Sequence, residues 1–417
     1  MSLATVGQTA KHDSVPHIAS ITSTTAIEVR DGATLPATIS EARVWARNDD
    51  GKSPYDWSKP RKTGVFVILM MTILNSCLGS SLTSNAIPFI ALEFSVESQT
   101  QKALPMSCYL IGYVFGPLLW APASEQFGRR YITIGSFFGF SIFTMACALA
   151  PAWGPFLAFR SFAGISASGP IAVAPGILAD IYQDQRARGR AVAVYMVVTA
   201  FGPLLGPILS GFVCPALDWR WSFWIALMFA GGTLVPLFFL PETSRAVLLA
   251  RHGGGSQPSK TLPSRSLHTV LFRPLYMLIF EPIVTTSSAY LALCYAIFYM
   301  SFQAYPVIFQ GVYGLSPGIC GLTYLPIGAG SLIFLPVFWL YDRYLAHQAQ
   351  DTSTQALPKN REEEYRRLPL ACLGGPLFAL SLFWLGWSAR ESVPFAIPML
   401  AGIPFGFGFI CIFIALL

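Results

Sequence analysis

The sequence predicts an all-α integral membrane protein, and two observations carry that prediction. Hydrophobic residues make up 53% of the chain and charged residues only 12%, whereas a soluble domain carries about 25% charged residues. The apolar residues also gather in ten segments, each close to the roughly 20 residues that a helix needs to cross a bilayer core of about 30 Å. The predicted spans are 64–92, 103–122, 131–150, 155–181, 191–212, 221–240, 274–300, 318–341, 368–388 and 394–417.

The positive charges predict which ends of the spans face the cytosol. Of the 27 Lys and Arg residues, only Lys102, Arg220 and Arg390 fall in loops after odd-numbered spans, and Arg160 falls inside a span. The others lie before span one or after even-numbered spans. Since Lys and Arg accumulate in cytosolic loops, the N-terminus is expected in the cytosol and the protein in a membrane, most simply the plasma membrane. The same rule accounts for the net charge of +6 without nucleic acid.

The spacing of the spans predicts four regions. Residues 1–62 lack an apolar period and are expected to form a disordered cytosolic tail, with span one as an uncleaved signal anchor. Residues 63–241 would form a six-helix bundle, 242–272 a charged cytosolic loop, and 273–417 four further helices. No soluble domain of ordinary size fits after residue 62.

Covalent chemistry has no visible apparatus in this chain. The eight cysteines show no metal-ligand spacing, and no zinc-protease, serine-hydrolase or paired-carboxylate pattern is present. We therefore expect a protein that is not an enzyme and that uses neither a metal nor an organic cofactor.

The loop after span two, APASEQFGRR, is the first candidate site. Glu125 and Arg129 are four residues apart in the favourable order for a helical ion pair, and Gly128 permits a sharp turn. Arg130 adds a second positive charge, and Asp180 ends span four at the same membrane depth. Such a cluster could lock neighbouring helices in one conformation and release them in another, although topology-setting charge alone would also explain the two arginines.

A shorter acidic–basic pair, Asp342 and Arg343, follows span eight as the longer motif follows span two. A six-span offset is what two six-helix halves would produce. Span five carries paired glycines and prolines at helical spacing, which favour close helix approach and bending. These residues are Gly202, Pro203, Gly206, Pro207 and Gly211.

Two charged residues, Arg160 and Glu281, are predicted to lie inside the membrane, where ionisable groups are functional candidates by default. Glu281 is expected about two turns into span seven, where it could accept a proton. The structural alternatives are that Arg160 caps carbonyl groups near the outer end of its span and that Glu281 pairs with a cytosolic arginine.

Several motifs resemble the major facilitator superfamily, in its fungal twelve-span drug–proton antiporter branch. The resemblance rests on APASEQFGRR, GPLLGPILSG in span five and the helix-four motif that begins at Arg160, and it covers about residues 55–417. It is supported by LPETSRAVLL at the end of span six. Ala121, Ser210 and Gln303 depart from the family's usual Gly, Gly and Glu.

The resemblance implies alternating access by two helical bundles and a role for Arg160 in proton coupling. It implies export of amphipathic organic compounds such as drugs, toxins or secondary metabolites in exchange for protons. The expected partners are the bilayer, a small-molecule substrate and protons, with the chain acting as a monomer. Because the family has twelve helices and this chain stops in the tenth, a C-terminal truncation is expected. Transport of polyamines or other organic cations, and a truncated non-transporting membrane protein, are the alternatives.

Overall fold

A computed structural model describes residues 54–244, 247–248, 276–351 and 359–416. Within these ranges ten helices are long and apolar enough to cross a membrane, which confirms the predicted number of spans and the all-α class. The expected disordered tail lies almost wholly outside the described residues, as does most of the expected central loop.

The helices are numbered here by span, and short helical segments keep their residue ranges. The ten are α1 (Lys59–Ser81), α2 (Gln99–Phe127), α3 (Arg129–Ala148), α4 (Trp153–Ile181), α5 (Gln185–Ala216), α6 (Trp219–Phe238), α7 (Pro282–Tyr305), α8 (Leu325–Asp351), α9 (Lys359–Ser388) and α10 (Gly402–Leu416). Short helices lie at Ile87–Glu93, Pro317–Leu322 and Ala396–Leu400, and a π-helical turn at Pro306–Val312 continues α7.

The first six helices pack pairwise through small residues. α4 lies against both α2 and α3, and α1 lies against α5. At the α2–α4 crossing, a Cβ on Gly112 or Gly164 would collide with backbone of the opposite helix. Membrane helices associate by such close contacts because lipid supplies no hydrophobic drive between them.

The remaining helices pack around α10, which lies against α8 and α9. α5 joins this group to the first six helices, because it contacts both α8 and the segment Pro317–Leu322. One apolar cluster accordingly contains Val197 and Leu204 of α5 together with Phe298 of α7 and Phe409 of α10. The molecule therefore has a packed seam between its two helical groups, and an aromatic-lined cavity lies along that seam.

Helix boundaries differ from the prediction mainly at prolines. α2 runs through Pro105, Pro117 and Pro122 and is longer at both ends than the predicted 103–122. Membrane helices tolerate proline because neighbouring groups satisfy the freed carbonyls. Span seven was instead predicted to start too early, since α7 begins at Pro282. Proline favours the first position of a helix and disfavours helical geometry in the residue before it.

Candidate functional site

Arg129 is the centre of a charged cluster on the predicted cytosolic side. At this cluster α2 ends, α3 begins and α4 ends. Its Nε lies 3.6 Å from Asp180 Oδ2, an ion contact too long for a hydrogen bond. Its Nη1 donates to Ser124 Oγ of α2 at 2.5 Å. The expected proximity of Arg129 and Asp180 is therefore seen, and one guanidinium links the start of α3 to the ends of α2 and α4.

Gly128 separates α2 from α3. Its φ is +99°, in the left-handed half of the Ramachandran map, which favours glycine. A Cβ at this position would also collide with the carboxylate of Glu242. The turn therefore requires glycine both for its backbone angle and for the space that Glu242 occupies.

Glu242 is the residue of this cluster that the sequence reasoning missed. The residue is 6% exposed, and its carboxylate accepts hydrogen bonds from the backbone N–H groups of Arg129 at 2.9 Å and Arg130 at 3.3 Å. It also accepts from the N–H groups of Thr243 and Ser244 at 3.0 and 2.9 Å. An anion at a helix N-terminus satisfies otherwise unpaired donors and the helix dipole. The sequence signal that could have identified Glu242 is an acidic residue close after an apolar span.

Two contacts complete the cluster. Arg130 Nη2 donates to the carbonyl of Phe238 at the end of α6 at 2.9 Å. The hydroxyl of Thr243 donates to Asp180 Oδ2 at 3.5 Å. The segment after α6 thus closes over the α2–α3 turn and reaches α4.

The predicted helical pair of Glu125 with Arg129 is wrong. Pairing at this spacing needs a continuous helix, and Gly128 ends α2 before Arg129 starts α3. Glu125 is exposed, and among the described residues no hydrogen bond or ion pair reaches its side chain. Arg129 finds its carboxylate on α4 instead.

Asp342 of the shorter motif contacts the first helical group rather than its neighbour Arg343. Arg190, at the start of α5, donates to Asp342 Oδ2 from Nη2 at 2.9 Å and from Nε at 3.2 Å. Arg343 is exposed. The pair joins α5 to α8 on the predicted cytosolic side.

Arg160 is 2% exposed, and it binds carbonyl oxygens. Its Nη1 and Nη2 donate to Gly79 and Ser80 at 2.8 and 3.2 Å, and its Nε donates to Pro105 at 3.1 Å. Gly79 and Ser80 belong to the last turn of α1, whose carbonyls lack intrahelical donors and which carries the negative end of the helix dipole. The Tyr109 ring lies under the guanidinium, 4.5 Å from Cζ. The carbonyl-capping alternative is thus the arrangement observed.

Glu281 does not lie two turns inside a span, so that prediction is wrong. It is exposed and directly precedes α7. The proline at 282 starts the helix there, as described above. Glu281 therefore lies at the first end of α7, away from the buried residues of that helix.

The glycine–proline motif packs α5 closely against α1 and against the segment Pro317–Leu322. A Cβ on Gly202 or Gly206 would collide with Cys77 or Ser81 of α1, and one on Gly211 would collide with the carbonyl of Pro317. Because Pro207 has no N–H, it leaves the carbonyl of Pro203 without its helical donor, and the Ser81 hydroxyl donates to that oxygen.

A cavity of about 170 Å³ lies at the seam between α2, α4, α5, α7 and α10. Aromatic rings form most of its wall, and none of its lining residues carries a charge. The Tyr299 hydroxyl donates to Ser80 Oγ at 3.1 Å, and that of Tyr295 donates to Tyr299 at 3.4 Å. The aromatic lining residues are Tyr113, Tyr195, Tyr295, Phe298, Tyr299, Phe409 and Phe413. We call this space the central cavity.

A second space of about 360 Å³ lies between the ends of α1, α2 and α7 on the predicted outer side. Apolar residues, hydroxyls and amides line it together with the ammonium-bearing side chain of Lys102. We call it the outer cavity. At this cavity Ser84 donates to the Phe302 carbonyl at 2.7 Å, and nearby along the chain Gln310 Nε2 donates to Asn85 Oδ1 at 3.2 Å.

The sequence is similar to curated fungal transporters. It is 34% identical to the MFS transporter fsa7 of Fusarium sp. (strain FN080326), over 87% of this chain and 72% of that protein. It is 32% identical to the efflux pump radE of Floropilus chiversii, over 88% of this chain and 70% of the pump. It is 33% identical to polyamine transporter 4 of Saccharomyces cerevisiae, over 89% of this chain and 61% of that protein.

The fold is similar to that of the proton:xylose symporter XylE, with a TM-score of 0.61 and 19% identity over 85% of this chain and 82% of the symporter. The family model described as Major Facilitator Superfamily matches residues 69–417. The chain therefore belongs to the major facilitator superfamily and is a multi-pass membrane transporter rather than an enzyme.

Proposed function

We propose that this transporter exports amphipathic small organic compounds from the cytosol in exchange for protons, by alternating access. The observation that carries the proposal is the central cavity, which lies at the seam of the two helical groups and is lined by aromatic side chains. Ligand sites of this kind are mainly apolar, with a few polar groups that fix orientation. The tyrosine hydroxyls supply those polar groups here.

Contacts on both sides of the central cavity support alternating access. On the predicted outer side, Ser84 and Asn85 hydrogen-bond to Phe302, Pro317 and Gln310. On the predicted cytosolic side, Arg190 pairs with Asp342. Rocking of the two helical groups against each other would break the contacts on one side of the cavity while the contacts on the opposite side are kept.

For proton exchange we propose Asp180 as the residue that is protonated. Glu281 is exposed at the start of α7, and the three carbonyl partners of Arg160 cannot take up a proton. Asp180 faces Arg129 and Thr243 at the junction of α2, α3 and α4. A protonated carboxyl no longer attracts the guanidinium, so protonation would loosen this junction. Arg160 would contribute to coupling by fixing α1 and α2 against α4.

The experiment measures retention of the neutral fluorescent probe Nile red in cells that express the chain and in cells with the empty vector. We expect lower retention in expressing cells, and recovery when a protonophore is added. Asp180→Asn should lose the response to the protonophore. Asp184→Asn is the matched control, because Asn also caps a helix well and Asp184 caps α5 by accepting from the N–H of Ala187.

Export of Nile red that persists unchanged with the protonophore would contradict proton exchange. Equal retention with and without the chain would contradict export and favour the non-transporting alternative. The organic-cation alternative is supported by the similarity to polyamine transporter 4. Stronger export of the cation rhodamine 123 than of Nile red would favour that alternative.

A further inference from the structure

Two basic residues, Arg160 and Lys102, lie at the two cavities, and their charges have the same sign. No lining residue of the central cavity is charged, and Lys102 is the charged residue that lines the outer cavity. Arg160 lies close to the central cavity without contacting a carboxylate in the described part of the chain. A cleft bordered by charge of one sign raises the local concentration of ligands of the opposite sign.

Arg160 is connected to the central cavity through one residue. Tyr299, in the cavity wall, donates to the side chain of Ser80, and the carbonyl of Ser80 accepts from Arg160 Nη2. Carbonyl oxygens and an aromatic face stabilise the guanidinium but do not cancel its unit charge. In a medium of low dielectric constant such a charge acts over longer distances than in water.

Lys102 extends this positive potential to the outer cavity. It lies in the first turn of α2, and no ion pair between Lys102 and an acidic side chain is seen among the described residues. Around it the cavity offers the amides of Gln99 and Gln303 and the hydroxyl of Ser84. An acidic group could accept hydrogen bonds from the ammonium and the two amides, since the single proton of the Ser84 hydroxyl already goes to the Phe302 carbonyl.

α7 lines both cavities with one face. Tyr295 and Tyr299 line the central cavity, whereas Gln303 and Val307 line the outer cavity. Residues four apart lie above one another on a helix, about 6 Å apart along its axis. A ligand leaving the central cavity along this face therefore moves toward Lys102.

We propose that the transported compound is an amphipathic organic anion with a planar conjugated body, and that Lys102 binds its acidic group on the way out. This inference rests on the proposed export function. The aromatic walls of the central cavity stack on the conjugated body, and Arg160 makes the site electrostatically favourable for the negative charge. A polycation would enter a positive site that has no carboxylate to receive it.

The direction of transport agrees with this charge. A membrane potential that is negative inside drives an anion outward and draws a cation inward. The potential therefore adds to the driving force of proton exchange for an exported anion, and it opposes the export of a cation.

The test uses the purified 417-residue chain in liposomes of neutral phosphatidylcholine, so that the lipid charge does not bias the result. Three fluorescent probes share one ring system: 1-naphthalenesulfonate, 1-naphthalenesulfonamide and trimethyl(1-naphthyl)ammonium. Each is enclosed in the liposomes, and its release is followed with valinomycin and equal potassium concentrations inside and outside, so that the membrane potential is zero and favours neither charge. We expect the sulfonate to leave about tenfold faster than the ammonium probe, which corresponds to about 1.4 kcal/mol in preference.

Lys102→Gln should lower the rate of sulfonate release about fivefold and leave sulfonamide release unchanged, and Lys102→Arg should keep the wild-type rate. Arg390→Gln is the matched control, because Arg390 is an exposed basic residue on the predicted outer side that lines neither cavity. Retained sulfonamide release in the Lys102→Gln variant shows that the protein is folded and inserted.

The outcomes separate this inference from the proposed function. Faster release of the ammonium probe than of the sulfonate would overturn the anion assignment and leave export intact. Equal loss of release for all probes in Lys102→Gln would overturn the role of Lys102. Release of no probe above that of empty liposomes would contradict both the inference and the proposed function.

Discussion

Arg129 and Arg160 belong to the same helical group, and their charges are compensated in different ways. Arg129 is 18% exposed in its side chain and faces the carboxylate of Asp180, while its backbone N–H donates to Glu242. Arg160 is 2% exposed and is held by three carbonyls and a tyrosine ring. A carboxylate loses its charge on protonation, whereas a carbonyl does not. One arginine therefore sits in an environment that pH can change, and the other in a constant one.

This difference assigns separate tasks to the two ends of the group. A junction held by ion pairs can be released, as a gate requires. A junction held by hydrogen bonds to carbonyls is expected to stay closed through the transport cycle and to leave a positive field beside the central cavity. Substitutions of Arg160 and of the carboxylates near the two junctions test whether the junctions differ in this way.

The largest effect is expected at Arg160. Arg160→Leu leaves the carbonyls of Gly79 and Ser80, in the last turn of α1, without donors, and each buried unsatisfied acceptor costs about 1–3 kcal/mol. We expect a loss of stability of about 3 kcal/mol or more, measured as a lower midpoint of unfolding by denaturant in detergent. Arg160→Lys should recover only part, because an ammonium lacks the planar fork that reaches three oxygens. A Lys variant as stable as the wild type would contradict this.

A smaller loss is expected at the carboxylate that caps α3. Glu242→Gln removes an anion from a helix N-terminus, which in a partly buried site is worth up to about 2 kcal/mol. The same measurement of unfolding should show a loss of about 1 kcal/mol. Glu125→Gln, on the exposed end of α2, is the matched control and should leave the midpoint unchanged. Equal effects of the two variants would show that Glu242 acts as surface charge.

The pair of Arg190 and Asp342 should affect conformation more than stability. Exposed ion pairs contribute about 0–1 kcal/mol, and the Arg190 side chain is 51% exposed. Asp342→Asn is expected to shift the distribution of distances between spin labels on α5 and α8 toward larger values. The exchanged pair Arg190→Asp with Asp342→Arg should restore it. Arg343→Gln is the control, and an equal shift there would remove the specific role of Asp342.

The smallest effect is expected at the exposed contact of Glu93 on the predicted outer side. Hydrogen bonds from Arg220 and Trp219 lower the pKa of Glu93. The contact therefore stabilises the fold above the pKa of an unfolded glutamate, about 4.3, and this contribution is lost as the pH falls through the lowered pKa of Glu93. Unfolding measured between pH 3 and 6 should show a shallower loss in Glu93→Gln. Parallel curves for the two proteins would contradict this prediction.

Span number and the membrane class could be predicted because apolar length reports directly on bilayer thickness. The proximity of Arg129 and Asp180 could also be predicted, since both lie where spans end on the same side. The pairing of Glu125 could not, because one glycine with positive φ moved Arg129 onto another helix. Glu281 was misplaced because an apolar stretch before Pro282 extended the predicted span beyond the start of the helix.

Local patterns of hydrophobicity and charge thus determined the number of helices, the expected orientation and the candidate charges. Partners distant in sequence depend on how the helices pack. Glu242 reaches the start of α3 across 113 residues, Asp342 reaches α5 across 152, and Arg160 finds the end of α1 across 81. These contacts bring backbone donors and acceptors to particular side chains, and no residue pattern along the chain records them. Tertiary structure alone therefore decided which charges are cancelled and which remain beside the cavities.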